Sequence, residues 1–359
     1  MEQIDTKKYI VDTFRKTTSF NSIANILGFQ SKLFGFIFTH KKYYYRNFQI
    51  KKQDGKTNRI ISFPDFTPKN LAKFVKDFDK DWDESIKLID NGVELLRYSQ
   101  LFIQEYILLQ LKTHDYVYGF VNGKSPLDMA KKHENKKLVI ALDIKNFFPS
   151  VHVNDIQRSL IKNYGFERMP AWVIGEITTY NKRLNQGNPT SPSASNIAFY
   201  DMDKQIKELS EIFNLNYTRY ADDLVFSTDK VLSDNKIRDF IFLIKQNLKF
   251  NYYKLNEKKT KIMKSEDKQT VLGYIVNKKA GKSKFFTRTL RSAVHNFMNK
   301  NMIPQGENPE RYRRHLLGLV NYVNYSYNGD SFSQMFEQLK HFDTKSVKTW
   351  FTANYKVKI

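Results

Sequence analysis

The sequence predicts an α+β fold, and three observations carry that prediction. A short apolar run, Leu138–Asp143, is bounded by charge and has the composition of a buried strand. Asn216 to Ser227 reads as two β-prone runs around Ala221-Asp222-Asp223, a hairpin with acids at its tip. On either side, apolar residues recur at helical spacing, as at Val153, Ile156, Leu160 and Ile161. The 359 residues, 41% apolar and 15% aromatic, exceed what one core usually holds, so two or three subdomains are expected.

Taken in order, residues 1–47 read as short helices, with Ser19 to Ser22 offering N-cap residues before Ile23, Ile26 and Leu27. Residues 48–64 switch to strand-like runs around Asp54-Gly55, the signature of a hairpin, carrying Lys51, Lys52, Lys56 and Arg59. Helical spacing returns from Leu88 to Leu111 and breaks at Tyr118-Gly119-Phe120 and Asn122-Gly123-Lys124-Ser125. After the Leu138–Asp143 strand, a helix is expected with Asn154 near its start and Gly165 past its end. Asn185 to Pro189 is a loop, and Pro192 suits the first turn of a helix running towards Leu209. A helix from about Lys236 to Phe250, then strands through Leu272 and Ile275, complete an α+β unit, and after Lys278 the chain is basic and mostly helical.

Lys and Arg number 59 against 37 acidic residues, a formal charge of +22 that gathers polyanions and points to a nucleic-acid partner. Cysteine is absent, which excludes disulfides, thiolate zinc sites and Cys nucleophiles and suits a reducing cytoplasm. No uncharged apolar run approaches the ~18 residues of a membrane span, and the N-terminus lacks the apolar core of a signal peptide. The expectation is a cytoplasmic protein with no membrane partner. The histidines, His133 and His152 among them, show no metal-ligand spacing.

An acid at the end of a buried strand and two adjacent acids at a hairpin tip both need an explanation, because like charges at a turn repel and Asn or Gly would serve a structural turn. A cation would relieve the repulsion. If strand and hairpin share one sheet, Asp143, Asp222 and Asp223 converge, and hard carboxylate oxygens suit two Mg²⁺ ions and in-line phosphoryl transfer.

Tyr220-Ala221-Asp222-Asp223 closely resembles the catalytic signature of reverse transcriptases. It follows Asp143-Ile144-Lys145-Asn146-Phe147-Phe148-Pro149-Ser150 and Gln186-Gly187-Asn188-Pro189-Thr190-Ser191-Pro192 in that family's order. The resemblance covers about residues 25–340. It implies a right-hand polymerase, with an N-terminal helical segment at 1–47, fingers at 48–137, a palm at 138–277 and a basic helical thumb at 278–359.

The same resemblance implies roles. Asp143 and Asp222 would bridge two Mg²⁺ ions, with Asp223 the less direct third carboxylate. Phe148 matches the side chain under the deoxyribose, where a ring excludes a 2′-hydroxyl; its other possible role is core packing. Gln186 and Gly187 match the loop under the incoming nucleotide, where glycine lets backbone approach the ligand. Lys51, Lys52 or Arg59, Arg59 first, would hold the dNTP triphosphate. Lys259, beside Lys258, matches a lysine that protonates the pyrophosphate leaving group. Val271-Leu272-Gly273-Tyr274 resembles the primer grip, so Gly273 and Tyr274 would touch nucleic acid. Arg311, Arg313 and Arg314, with Tyr312, would present the thumb to a folded RNA stem.

Length and composition resemble bacterial retron reverse transcriptases, which use a noncoding RNA as template and primer and make a branched RNA–DNA hybrid in phage defence, with an effector protein encoded nearby. Tyr118 to Ser125 and Ala130 to His133 fit that group. Two segments depart from it: Met129-Ala130-Lys131-Lys132-His133 stands where retron enzymes carry Asn-Ala-x-x-His, and Val271-Leu272-Gly273 where they carry Val-Thr-Gly. Another phage-defence reverse transcriptase, untemplated or protein-primed, an intron-derived enzyme, and a polymerase fold serving only as an RNA-binding scaffold are the alternatives.

Overall fold

The computed structural model describes residues 6–51, 58–65, 82–300, 302–304, 307–325, 330–344 and 350–351. The chain folds into two compact units, one of residues 1–125 and 140–261, the other of residues 126–139 and 262–359.

The first unit opens with helices Thr6–Lys16, Phe20–Ile26 and Ser31–His40. The second starts at Ser19, whose hydroxyl accepts from Ser22 N as the cap. Strands β1 (Tyr45–Lys51) and β2 (Asn58–Pro64) pair antiparallel, with Lys51 opposite Asn58 and Ile50 opposite Arg59. The tip of this hairpin, with Lys52, Asp54-Gly55 and Lys56, lies outside the described residues. Because side chains alternate faces along a strand, that register sends Lys51 and Arg59 to opposite faces.

The helix Trp82–Phe102 ends earlier than its apolar spacing suggests, passing into a π-helical turn at Ile103–Ile107 and a 3₁₀ turn at Leu108–Gln110. Strand β3 (Leu138–Asp143) falls where the apolar run placed it and is buried along nearly its whole length. The helix Val153–Tyr164 is capped by His152 rather than Asn154. His152 Nδ1 accepts from Asn154 N at 3.2 Å, and Asp155 Oδ2 accepts from His152 N at 3.0 Å, closing a capping box. Gly165 ends that helix with φ 68°.

The helix expected from Pro192 to Leu209 is two helices, Ser191–Ala198 and Tyr200–Ile212. They break at Phe199, whose backbone leaves the helical region at ψ 3° while its ring is fully buried. Strands β4 (Asn216–Tyr220) and β5 (Asp223–Thr228) form the expected hairpin, and the sheet runs in the order β4-β5-β3. β5 therefore lies beside β3, so the two acidic segments belong to one sheet. The helix Asp234–Phe250 packs Ile237, Phe240, Ile244 and Leu248 inward, with Phe240 edge-on to Phe226 of β5.

In the second unit, Thr270–Val271 pairs with Tyr274–Ile275 across a two-residue turn. Leu272 and Gly273 both have positive φ, 47° and 79°, as a type I′ turn requires. The basic C-terminal region is helical over Lys284–Lys300, Pro309–Asn324 and Asp330–His341, around Leu290, Phe297, Leu316, Val320 and Leu339. Among the described residues no helix is long and apolar enough to cross a membrane.

Candidate active site

The backbone ties the two acidic segments together directly. Ile144 N donates to the carbonyl of Asp222 at 2.9 Å, so the end of β3 abuts the hairpin tip. Asn256 N donates to Asp143 O and Lys145 N to Lys254 O, both at 2.8 Å, which fixes the segment before Lys259 along the same strand end. The hairpin closes on two residues, Ala221 and Asp222, between the pair Tyr220 and Asp223. Ala221 has φ 54°, the positive angle of the first central residue in a II′-type turn. Holding an L-residue there costs roughly 1–2 kcal/mol, and such strain persists only where surrounding contacts impose it.

Those contacts lie behind the turn, and sequence reasoning missed them. Arg219 is fully buried and forms a forked pair with Asp203, Nε to Oδ1 at 2.7 Å and Nη2 to Oδ2 at 2.6 Å. Burial opposes the guanidinium charge, and Asp203 outweighs that opposition. Arg219 also donates to Ala221 O at 3.2 Å and to Asn196 Oδ1 at 3.1 Å, while Asn196 Nδ2 donates to Gly119 O at 2.9 Å. Gly119 lies so close to the turn that a Cβ there would sit 2.5 Å from Ala221 N, which only glycine avoids. The available signal was an arginine at an inward strand position between Tyr217 and Ala221, where a buried acid must answer it.

Of the three carboxylates, Asp143 is 6% exposed and accepts from Asn256 Nδ2 at 2.8 Å and Lys259 Nζ at 2.7 Å. Asn256 is a second contact not singled out from sequence. The bond to Asp143 raises the pKa of Lys259, so its ammonium stays charged at neutral pH. Burial, with Asp143 nearby, raises Asp222, and Lys259 and Arg59 partly offset this. Burial and the charges of Asp222 and Asp143 push Asp223 up to about 7.

Among the described residues, no three His, Asp or Glu side chains are gathered into a ready metal cage. What the site offers is hard oxygen donors whose ionised forms repel, a donor set that fits a divalent cation. The shift of Asp223 from 3.8 to about 7 means that the folded chain keeps a proton the unfolded chain releases. In chelator, stability should therefore fall as pH rises across that window. Asp223→Asn should flatten the fall, and millimolar Mg²⁺ at neutral pH should raise the melting temperature of the wild type but not of the variant. Identical melting profiles for the two proteins, with and without Mg²⁺, would remove the repelled-carboxylate assignment.

The remaining expected residues divide. Arg59 faces the site closely enough to stabilise ionised Asp222, whereas Lys51 lies on the other face of its hairpin. Phe148 is half-buried, and the core role falls to Phe147, which packs on Phe199 and Tyr253. The Gln186–Gly187 loop is stitched to β2: Ser62 N donates to Gln186 O at 2.7 Å, and Asn185 Nδ2 donates to Ser62 O. A Cβ on Gly187 would meet Ser62 O at 2.8 Å, so the close approach that demands glycine is to β2.

In the second unit, Gly273 is exposed at its turn, but Tyr274 is 1% exposed with Lys282 Nζ 3.5 Å over its ring. A two-residue turn puts Tyr274 opposite Val271, on the buried face, which contradicts its expected place on a nucleic-acid surface. Arg313 pairs with Glu310 and donates to Leu339 O and Lys340 O, capping the helix Asp330–His341, and Tyr312 lies in the core. The sequence cluster is thus reduced to Arg311 and Arg314, which are exposed.

The chain is 29% identical to the retron Mx65 reverse transcriptase of Myxococcus xanthus over 255 residues, 66% of this chain and 58% of that protein. It is 29% identical to the retron Ec86 reverse transcriptase of Escherichia coli over 201 residues, 56% of this chain and 62% of that protein. The chain thus spans about three fifths of the length of these curated relatives. An apo telomerase from Candida tropicalis superposes over 83% of this chain and 59% of its own, at 13% identity and a TM-score of 0.47. The family model described as reverse transcriptase, RNA-dependent DNA polymerase, matches residues 50–276, and the chain belongs to that family.

Proposed function

We propose that the protein is an RNA-directed DNA polymerase that copies a partner noncoding RNA, as a retron enzyme making a branched RNA–DNA product. The observation that carries the reading is the junction of the two acidic segments, Ile144 N on Asp222 O, which draws the end of β3 against the catalytic turn inside a reverse transcriptase domain. The relatives named as retron reverse transcriptases support the retron assignment.

Reverse transcriptases use divalent metal ions, and here Asp143 and Asp222, with Asp223 assisting, would hold two Mg²⁺. Bound there, they would lower the pKa of the attacking hydroxyl and neutralise charge on the leaving oxygen. The primer 3′-hydroxyl gives up its proton to solvent as its oxygen forms a bond to the α-phosphorus of a dNTP, the bond from that phosphorus to the β-bridging oxygen breaks, and pyrophosphate leaves. Arg59 steadies the triphosphate by charge-assisted hydrogen bonds. Lys259, charged and held at Asp143, gives its proton to the pyrophosphate. Phe148 bars the 2′-hydroxyl of a ribonucleotide, and Gln186 and Gly187 floor the nucleotide. Gly273, Arg311 and Arg314 touch template–primer phosphates. The reading assigns residues 48–137 to fingers, 138–277 to palm and 278–359 to thumb.

With a charge of +22, affinity for RNA should fall steeply with salt whichever RNA is bound. The decisive test is therefore the identity of the bound nucleic acid. Purified from its own host and treated separately with RNase and DNase, the protein should yield one defined RNA joined covalently to a short DNA of fixed sequence. Protein-linked DNA of random or homopolymeric sequence would replace the retron reading with untemplated synthesis. Recovery of no DNA would favour the RNA-binding scaffold.

A further inference from the structure

Beside the carboxylates stands a ring that the polymerase reading leaves unexplained. Phe120 has φ 60°, a left-handed backbone that a bulky L-residue rarely adopts. Burial does not account for it, because the side chain is 37% exposed. Its ring centroid lies 6.1 Å from Phe148 and 6.0 Å from Tyr220, which directly precedes the catalytic turn.

The loop that carries Phe120 is fastened from several sides. Tyr118 N donates to Arg219 O at 2.8 Å, and Asn196 holds Gly119 O. Lys124 Nζ donates to Asp115 O at 2.7 Å and Val117 O at 2.9 Å, closing the loop on itself. A Cβ on Gly119 would lie 2.5 Å from Ala221 N, so the loop backbone runs directly against the turn. The backbone around Phe120 is therefore set by the catalytic turn, and its ring is delivered to one place.

We propose that Phe120 is a positioning residue for sugar selection, restraining the ring of Phe148 together with Phe147. The ring of Phe148 meets two others, Phe147 with centroids 5.7 Å apart and Phe120 at 6.1 Å. An aromatic gate discriminates only if it cannot swing aside, because a 2′-hydroxyl adds little volume and a small displacement admits it. Phe147 is fixed in the core, and Phe120 supplies a second ring contact from a loop fastened to the turn. This inference rests on the polymerase reading and on Phe148 as the gate.

The test compares rCTP and dCTP incorporation, as kcat/KM on a primed RNA template, in wild type, Phe148→Ala, Phe120→Gly and Phe120→Leu. Glycine suits the positive φ, which offsets part of the packing lost with the ring, and the melting temperature of each variant shows that it is folded under assay conditions. The rCTP-to-dCTP ratio of Phe120→Gly should rise by about tenfold, the usual scale for one apolar contact in a specificity pocket. Phe120→Leu should recover part of the discrimination. A wild-type ratio in Phe120→Gly alongside a relaxed ratio in Phe148→Ala would overturn the inference while leaving the gate intact. A proportional loss for both nucleotides, with the ratio unmoved, would also overturn it, marking Phe120 as a surface for stacking bases. A wild-type ratio in Phe148→Ala would move the gate elsewhere, and no incorporation by wild type would remove the polymerase reading; either result takes this inference with it.

Discussion

Asp222→Asn combined with Asp223→Asn is expected to lower dNTP incorporation on a primed RNA template by at least ~10³-fold, equal to about 4 kcal/mol of activation barrier. The substitution keeps side-chain size and removes the charge that would bind metal. Folding should survive and in chelator should improve, since burial and neighbouring carboxylates already disfavour the ionised forms of both residues. Affinity for RNA should change little, because the formal charge is +22 before the substitution and the removed charges are negative. The measurements are radiolabelled dNTP incorporation with Mg²⁺, melting temperature and RNA retention at fixed salt. Substantial residual synthesis would dismiss the two-metal assignment. Loss of synthesis with phage defence intact would favour the scaffold.

The acidic strand and hairpin were legible because their signals are local. A buried strand declares itself by an unbroken apolar run, and β3 begins and ends where Leu138 and Asp143 bound it. The β4–β5 hairpin declares itself by β-prone runs around a tight centre. What the pattern did not show is which side chain answers which across long separations. Arg313 looked like a surface cation until Leu339 O and Lys340 O were seen to occupy it. Tyr274 looked available until the two-residue turn put it on the buried face beside Lys282. Arg59 was ranked ahead of Lys51 from resemblance, and it is the register that puts the two on opposite faces. Gly187 was recognised as a site of close approach, but its neighbour, Ser62 O, comes from a distant strand. Local periodicity encodes faces and turns, whereas the partners of buried polar groups follow from tertiary packing.

The largest stability effect is expected at the buried pair behind the acidic turn. Arg219→Met removes the guanidinium from Asp203, which is 1% exposed, and leaves its carboxylate answered chiefly by Tyr217 OH at 2.8 Å. Breaking one side of such a pair typically costs about 3–5 kcal/mol, because an uncompensated charge stays buried. Adding Asp203→Leu removes that charge and should restore much of the stability, since an apolar pair of similar volume often replaces a buried ion pair without loss. Catalysis should not recover with it. In the double variant Ala221 O and Asn196 Oδ1 still lack the donor that Arg219 supplied, so nothing replaces its hold on the strained turn. Urea unfolding should therefore show the single variant far below wild type and the double variant between them, while dNTP incorporation stays depressed in both. A double variant that regains both stability and wild-type synthesis would reduce Arg219 to a core residue and leave the placement of Asp222 to the contact between Gly119 and Ala221.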